Sequence, residues 1–96
     1  MNKKFRWGII GLGKIAHKFA KDLDLIENAE LYAVASRSKE RAKDFAEKFN
    51  VPHAFDSYQA LAEFGELDAV YIATPHTGHH ENTLMCLENK LPVLCE

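Results

Sequence analysis

Three of the chain's five glycines, Gly8, Gly11 and Gly13, fall within the stretch WGIIGLGKIAHKF that runs from Trp7 to Phe19. Glycine loses more backbone freedom on folding than any other residue, so a cluster of them marks a place where the chain turns tightly or must be approached closely. The flanking residues say what kind of place. Phe5 to Ile10 is a short apolar run and reads as a buried strand of a parallel sheet. From Lys14 the period changes: Ile15, Phe19 and Leu23 recur at helical spacing, with Ala16 and Ala20 beside them, and predict one apolar helix face. The glycines therefore sit at a strand-to-helix junction.

The same alternation continues to the last residue. ELYAVAS is a second buried strand, after which Ser38 is placed to cap a helix striped by Ala42, Phe45, Ala46 and Phe49. Pro52 ends that helical region, HAF is a short third strand, and Asp56 or Ser57 opens a small helix through Leu61 and Phe64. DAVYIAT is the fourth strand. Thr77 or Gly78 begins a helix carrying Leu84 and Leu87, and LPVLCE is the fifth strand. Strands alternating with helices at this spacing predict β-α-β units, a parallel sheet and right-handed crossovers.

At 96 residues the chain is one domain at most, and 47% hydrophobic with 27% charged residues is the balance of a soluble globular protein. A net charge of −2, with Lys and Arg scattered among acids, gives no nucleic-acid or membrane-surface footprint. No apolar run approaches membrane-spanning length, and the basic start MNKKFRW is followed too soon by glycines and charges for a signal-peptide core. Cys86 and Cys95 lie in apolar surroundings without a C-x-x-C spacing, as reduced thiols do. The expected compartment is the cytoplasm.

In this setting Gly11-x-Gly13-x-x-Ala16 has a specific chemical reading. In a dinucleotide-binding turn the first glycine makes the bend, the second admits a pyrophosphate against the backbone, and the third position must be small for helix-strand packing. The phosphates then rest on the N–H groups and positive end of the helix that starts near Lys14. A tight turn without ligand, and the nucleoside site of a methyltransferase, are the competing readings. The methyltransferase would want an acid at the end of the second strand, and none is there.

That strand ends in ASRSKER. A site specific for NAD usually presents Asp or Glu here to the ribose 2′-hydroxyl. Ser36 and Arg37 occupy the corner instead, with Lys39 and Arg41 behind them. A hydroxyl and a guanidinium can hydrogen-bond a 2′-phosphate and pair with its charge, which favours NADP with NAD still possible. Solvated charges at a helix start are the plainer alternative. After the fourth strand comes TPHTGHH. His76 and His80 are one helical turn apart, yet no Cys, Asp or Glu at ligand-like spacing accompanies them, so no metal is expected. The cluster falls instead at the carboxyl end of the fourth strand, over the crevice where cofactors bind in such sheets.

WGIIGLGKIA, AVASRS, YIATPHTGHH and VLCE together resemble the Gfo/Idh/MocA family of nicotinamide-dependent oxidoreductases along essentially the whole chain, and look closest to its dihydrodiol and NADP-xylose dehydrogenase branch. The resemblance implies a Rossmann-type doubly wound sheet of order 3-2-1-4-5, here truncated after the fifth strand. It implies that Gly11, Leu12, Gly13, Lys14, Ile15 and Ala16 form the pyrophosphate turn, and that Ser36 and Arg37 hold the adenosine ribose end, where Arg41 is a further candidate by its place close behind them. Ala73, Thr74, Pro75 and His76 would line the pyrophosphate and nicotinamide side, with His79 nearby, and Glu96 matches the Glu of the family's E-K-P motif. The chain stops before that motif's lysine, which resemblance makes the proton donor or acceptor, and before the family's second domain. The expectation is the cofactor domain, residues 1–96, of a larger and oligomeric oxidoreductase acting on a sugar, polyol or diol, with the 96 residues inactive by themselves. A non-catalytic nucleotide-binding or sensing module is the alternative.

Overall fold

The structure, a computed structural model, describes residues 5–73, 83–89 and 91–95. Strand β1 (Phe5–Ile10) leads through the glycine turn into α1 (Lys14–Leu23), followed by β2 (Ala29–Ala35), α2 (Lys39–Phe49), β3 (His53–Phe55), α3 (Tyr58–Ala62) and β4 (Ala69–Ile72). Residues 83–88 are helical, and β5 spans Val93–Cys95. All pairings are parallel, in the order β3-β2-β1-β4-β5. The order turns back at β1, which lies between β2 and β4. That reversal opens a crevice beyond the carboxyl ends of the strands.

Strand pleating divides the core into two layers. On one face Ile9, Val34 and Tyr71 pack with Ala16 and Ala20 of α1 and Ala42 and Phe45 of α2. On the other, Ile10, Ala33, Ala35, Val70 and Ile72 pack with Leu61 and Ala62 of α3 and with Cys86. Burying an Ile or Val side chain is worth about 1.5–3 kcal/mol, so Ile9, Ile10, Val34, Val70 and Ile72, all fully buried, anchor the sheet.

The helices begin and end by local chemistry. Ser38 Oγ accepts the Arg41 N–H at 3.3 Å and Ser57 Oγ accepts the Ala60 N–H at 3.0 Å, capping α2 and α3. Helix α2 ends ahead of Pro52, at Asn50, whose left-handed backbone (φ 55°) turns its N–H onto the Ala46 carbonyl.

Two apolar stripes read from the sequence are rotated in the fold. Ile15 is 46% exposed, and α1 rests on the sheet through Ala16, Ala20 and Leu23, with Phe19 half-buried. Two alanines one turn apart let the helix come close to the sheet at β2, which sets the helix phase and leaves Ile15 on its flank. Likewise Leu84 and Leu87 are exposed, and Cys86 between them enters the core. The start of that helix, expected at Thr77 or Gly78, lies outside the described residues.

Gly8 serves packing. A Cβ built on it would lie 2.6 Å from Leu67 Cδ1, and the β1–β2 register shifts between Trp7 and Gly8. Just before it, the Arg6 N–H donates to Asp68 Oδ2 at 2.7 Å and the Asp68 N–H donates to the Arg6 carbonyl at 2.8 Å, tying β1 to the approach of β4.

Candidate dinucleotide site

Ile10, Ala35 and Ile72 are register partners across β2, β1 and β4, so the residues after them leave the sheet along one edge. Those residues are Gly11, Ser36 and Ala73. The Gly11 N–H donates to the Ala35 carbonyl at 3.1 Å and the Ala73 N–H to the Ile10 carbonyl at 2.9 Å, which holds the edge together past the last strand residues. Three of the segments read from the sequence as contacting a cofactor are thereby side by side.

Gly11 has φ +90°, a conformation that a side chain would strain, and it bends the chain from β1 toward α1. Leu12 is buried behind the turn, while Lys14 and Ile15 stand exposed at the helix start. Gly13 is the N-cap of α1, with φ −91° and no side-chain cap. An α-helix leaves its first N–H groups without intrahelical acceptors. Here those of Lys14, Ile15 and Ala16 follow a glycine whose missing Cβ would meet nothing within 4 Å. The first turn of α1 carries no acid. Bare backbone, an uncapped helix start and no competing carboxylate suit the pyrophosphate of a dinucleotide, which needs donors and space. Ala16, fully buried, satisfies the packing role of the third small position.

At the end of β2, Ser36 is buried and its N–H donates to the Phe55 carbonyl at 3.1 Å. Ser36 Oγ accepts the Ser38 N–H at 3.2 Å, shaping the turn into α2. Arg37 is exposed, and its guanidinium carbon lies 5.6 Å from the centre of the Tyr58 ring, within range of a cation–π contact. Arg41 is exposed on the first turn of α2. Thr74, Pro75, His76, His79 and Glu96 lie outside the described residues. Among the described residues there is no group of three or more His, Cys, Asp or Glu able to hold a metal ion, and no helix long and apolar enough to cross a membrane.

Two hollows flank α1. One, of 350 Å³, lies between α1 and α2 and is lined in part by Leu12, His17, Ser38 and Arg41, within reach of the glycine turn. The other, of 390 Å³, lies at the opposite end of both helices, around Leu23, Glu30 and Asn50. The slightly larger hollow is thus the one remote from the uncapped helix start. Tyr58 and His17, both in contact with the site's residues, were not singled out in the sequence. The four-residue spacing from Gly13 to His17 was the available signal for the second.

Residues 5–96 match the model of a family described as an oxidoreductase family with an NAD-binding Rossmann fold. The chain belongs to the Gfo/Idh/MocA oxidoreductase family. Among curated proteins it is 43% identical over 93 residues to the mouse (Mus musculus) trans-1,2-dihydrobenzene-1,2-diol dehydrogenase, covering 95% of this chain and 28% of that enzyme. Among solved structures, a probable dehydrogenase from Thermotoga maritima superposes with a TM-score of 0.90 at 33% identity, over 95% of this chain and 27% of its own. A 3-ketoreductase from Actinomadura kijaniata, solved with NADP and TDP-benzene, gives 0.91 at 34% identity, over 97% and 29%. This Gfo/Idh/MocA chain therefore spans under a third of the length of these relatives.

Proposed function

We propose that residues 1–96 bind a nicotinamide dinucleotide across the carboxyl edge of the sheet. We propose further that the full-length protein is an oxidoreductase moving a hydride between that cofactor and a carbonyl or hydroxyl carbon of a diol, sugar or polyol. The observation that carries the reading is the Gly11–Ala16 turn, with its left-handed glycine, open backbone at Gly13 and uncapped helix start. When bound, the nicotinamide supplies the hydride chemistry. The chain's own residues bind and orient it.

In this reading the N–H groups of Lys14, Ile15 and Ala16 hold the pyrophosphate, and Ser36, Arg37 and Arg41 hold the adenosine ribose end. By likeness to the family, Ala73, Thr74, Pro75 and His76, with His79 nearby, serve the nicotinamide side, and Glu96 its ribose. No carboxylate stands at Ser36 or Arg37, so a 2′-phosphate meets a hydroxyl and a guanidinium rather than a repelling charge. This supports NADP over NAD. The diol in the mouse relative's name supports the diol part of that substrate class. Because the chain covers 28% of the mouse enzyme, the substrate pocket and the proton-handling group are assigned to polypeptide outside these residues.

Calorimetric titration with NADP, NAD and S-adenosylmethionine tests the binding reading. NADP binds most tightly and S-adenosylmethionine not at all if it is right; tighter binding of S-adenosylmethionine would overturn it. For the activity, full-length protein with NADP and a panel of diols and aldoses is followed by absorbance of the reduced cofactor, with the 96 residues alone as the inactive comparison.

A further inference from the structure

His17 stands on the second turn of α1, and both of its N–H groups meet one acceptor. Its backbone N–H lies 3.2 Å from the Gly13 carbonyl oxygen and its ring Nδ1 lies 2.9 Å from the same oxygen. A carbonyl can only accept, so Nδ1 carries the proton and donates. The ring is held from its other side by α2, edge-on to Phe45 at 4.8 Å between centres and to Phe49 at 5.7 Å. His17 is therefore clamped between the glycine turn and the helix that follows Ser36 and Arg37.

The Gly13 carbonyl and the Lys14 N–H belong to one planar trans peptide, and point in opposite directions. Two hydrogen bonds that fix the carbonyl toward His17 fix the N–H in the opposite direction, away from the body of α1. They also withdraw electron density from the oxygen and strengthen the N–H as a donor, since hydrogen bonds in series polarise one another. Gly13 needs such a restraint. It has no side chain and no capping bond of its own, and so lends this peptide no side-chain restraint.

We propose that His17 is a positioning residue for the dinucleotide site, orienting and polarising the Gly13–Lys14 peptide so that the Lys14 N–H meets the pyrophosphate. The inference rests on the dinucleotide reading above and adds to it a residue that touches no ligand. It separates two jobs in one side chain: the Nδ1 donor acts on the cofactor site, and the ring's edge contacts act on stability.

Two variants divide those jobs. His17→Phe keeps a ring against Phe45 and Phe49 and loses the donor. His17→Asn loses the ring and keeps an N–H that can reach four residues back, as Asn89 Nδ2 does to the Met85 carbonyl at 2.9 Å in this same chain. Each is measured for thermal midpoint, for the amide shift of Lys14 in ¹⁵N-labelled protein, and by calorimetry for affinity toward whichever of NADP and NAD the unaltered protein binds more tightly. His17→Phe should melt near the unaltered protein, shift the Lys14 amide, and bind about three- to tenfold more weakly, the loss of one modest hydrogen-bond effect. His17→Asn should melt lower yet bind within about twofold of the unaltered protein. Unchanged affinity in His17→Phe, or affinities that simply follow the melting order, would overturn the assignment while leaving the dinucleotide reading intact. Failure of the unaltered protein to bind either dinucleotide would remove both.

Discussion

The hydroxyl of Ser36 accepts a hydrogen bond from the Ser38 N–H at 3.2 Å, inside the turn that joins β2 to α2. The interaction uses one lone pair and leaves the O–H able to donate. A residue that appeared in the sequence only as a ligand for the adenosine ribose thus also builds the corner on which Arg37 stands. An aspartate could replace the acceptor but not the donor. Ser36→Asp should therefore preserve the turn while setting a carboxylate against any 2′-phosphate, where like charges cost several kcal/mol. The expected outcome is NADP affinity reduced by about tenfold or more, about 1.4 kcal/mol, with NAD affinity equal or improved. Paired titrations with the two cofactors check it, and equal loss of both would place Ser36 away from the 2′ position.

Arg37 carries the second half of the same preference. Its guanidinium projects from the β2 corner over the Tyr58 ring, an exposed arrangement in which the ring limits the directions the long side chain takes. Arg37→Ala should weaken NADP by about 1.5–3 kcal/mol, the range for a hydrogen bond to a charged group, and NAD much less. Tyr58→Leu should produce a smaller loss in the same direction, because it removes the ring beneath the guanidinium and not the charge. Equal weakening of NADP and NAD by Arg37→Ala would contradict the preference.

The sequence disclosed the strands, the parallel alternation and the glycine turn because each has a strong local cause. Ser38 and Ser57 cap helices through hydroxyls within three residues of the N–H they accept, and β4 and the last three residues of β1 and of β2 are buried as apolar runs in parallel sheets are, while Phe5 at the start of β1 is exposed. What escaped reading depends on partners distant in sequence. Ile15 was placed on the apolar face because its residue type fits; the close approach of Ala16 and Ala20 to the sheet turned it outward. Tyr58 and Arg37 are 21 positions apart, and only the return of the chain through β3 brings them together. Gly8 clusters with the turn glycines in the sequence, whereas Leu67, from the segment before β4, explains it.

That assignment of Gly8 is testable by stability alone. A methyl group there would lie 2.6 Å from Leu67 Cδ1 and 3.4 Å from Leu61 Cδ2, so something must shift. The close atom is the end of a leucine side chain and can rotate aside, which keeps the cost of Gly8→Ala near the lower end of overpacking, about 1 kcal/mol. Pairing it with Leu67→Val should recover part of the loss, since two residues in contact do not behave additively. Chemical denaturation of the single and double variants measures the coupling. Dinucleotide affinity should be unaffected by Gly8→Ala in protein that remains folded, which distinguishes this glycine from the two after it.

Gly13 is expected to show the opposite pattern, because its constraints are on the ligand side. Its φ of −91° and ψ of −162° are open to any residue, and a Cβ would meet no protein atom within 4 Å, so nothing in the fold itself demands glycine. A larger residue as N-cap should cost the helix up to about 1 kcal/mol, as apolar residues cap poorly compared with glycine. The empty space beside the backbone is where the dinucleotide reading puts the pyrophosphate. Gly13→Val would project two methyl groups there and hold a phosphate oxygen away from the Lys14, Ile15 and Ala16 N–H groups. Hydrogen-bond donors that cannot close on a charged acceptor forfeit about 1.5–3 kcal/mol, so cofactor affinity should fall by at least tenfold while circular dichroism stays unchanged. Gly11→Val is the comparison: with φ at +90° it strains the backbone directly, and both stability and binding should fall together. A folded Gly13→Val protein that retains cofactor affinity would remove the uncapped start of α1 from the site.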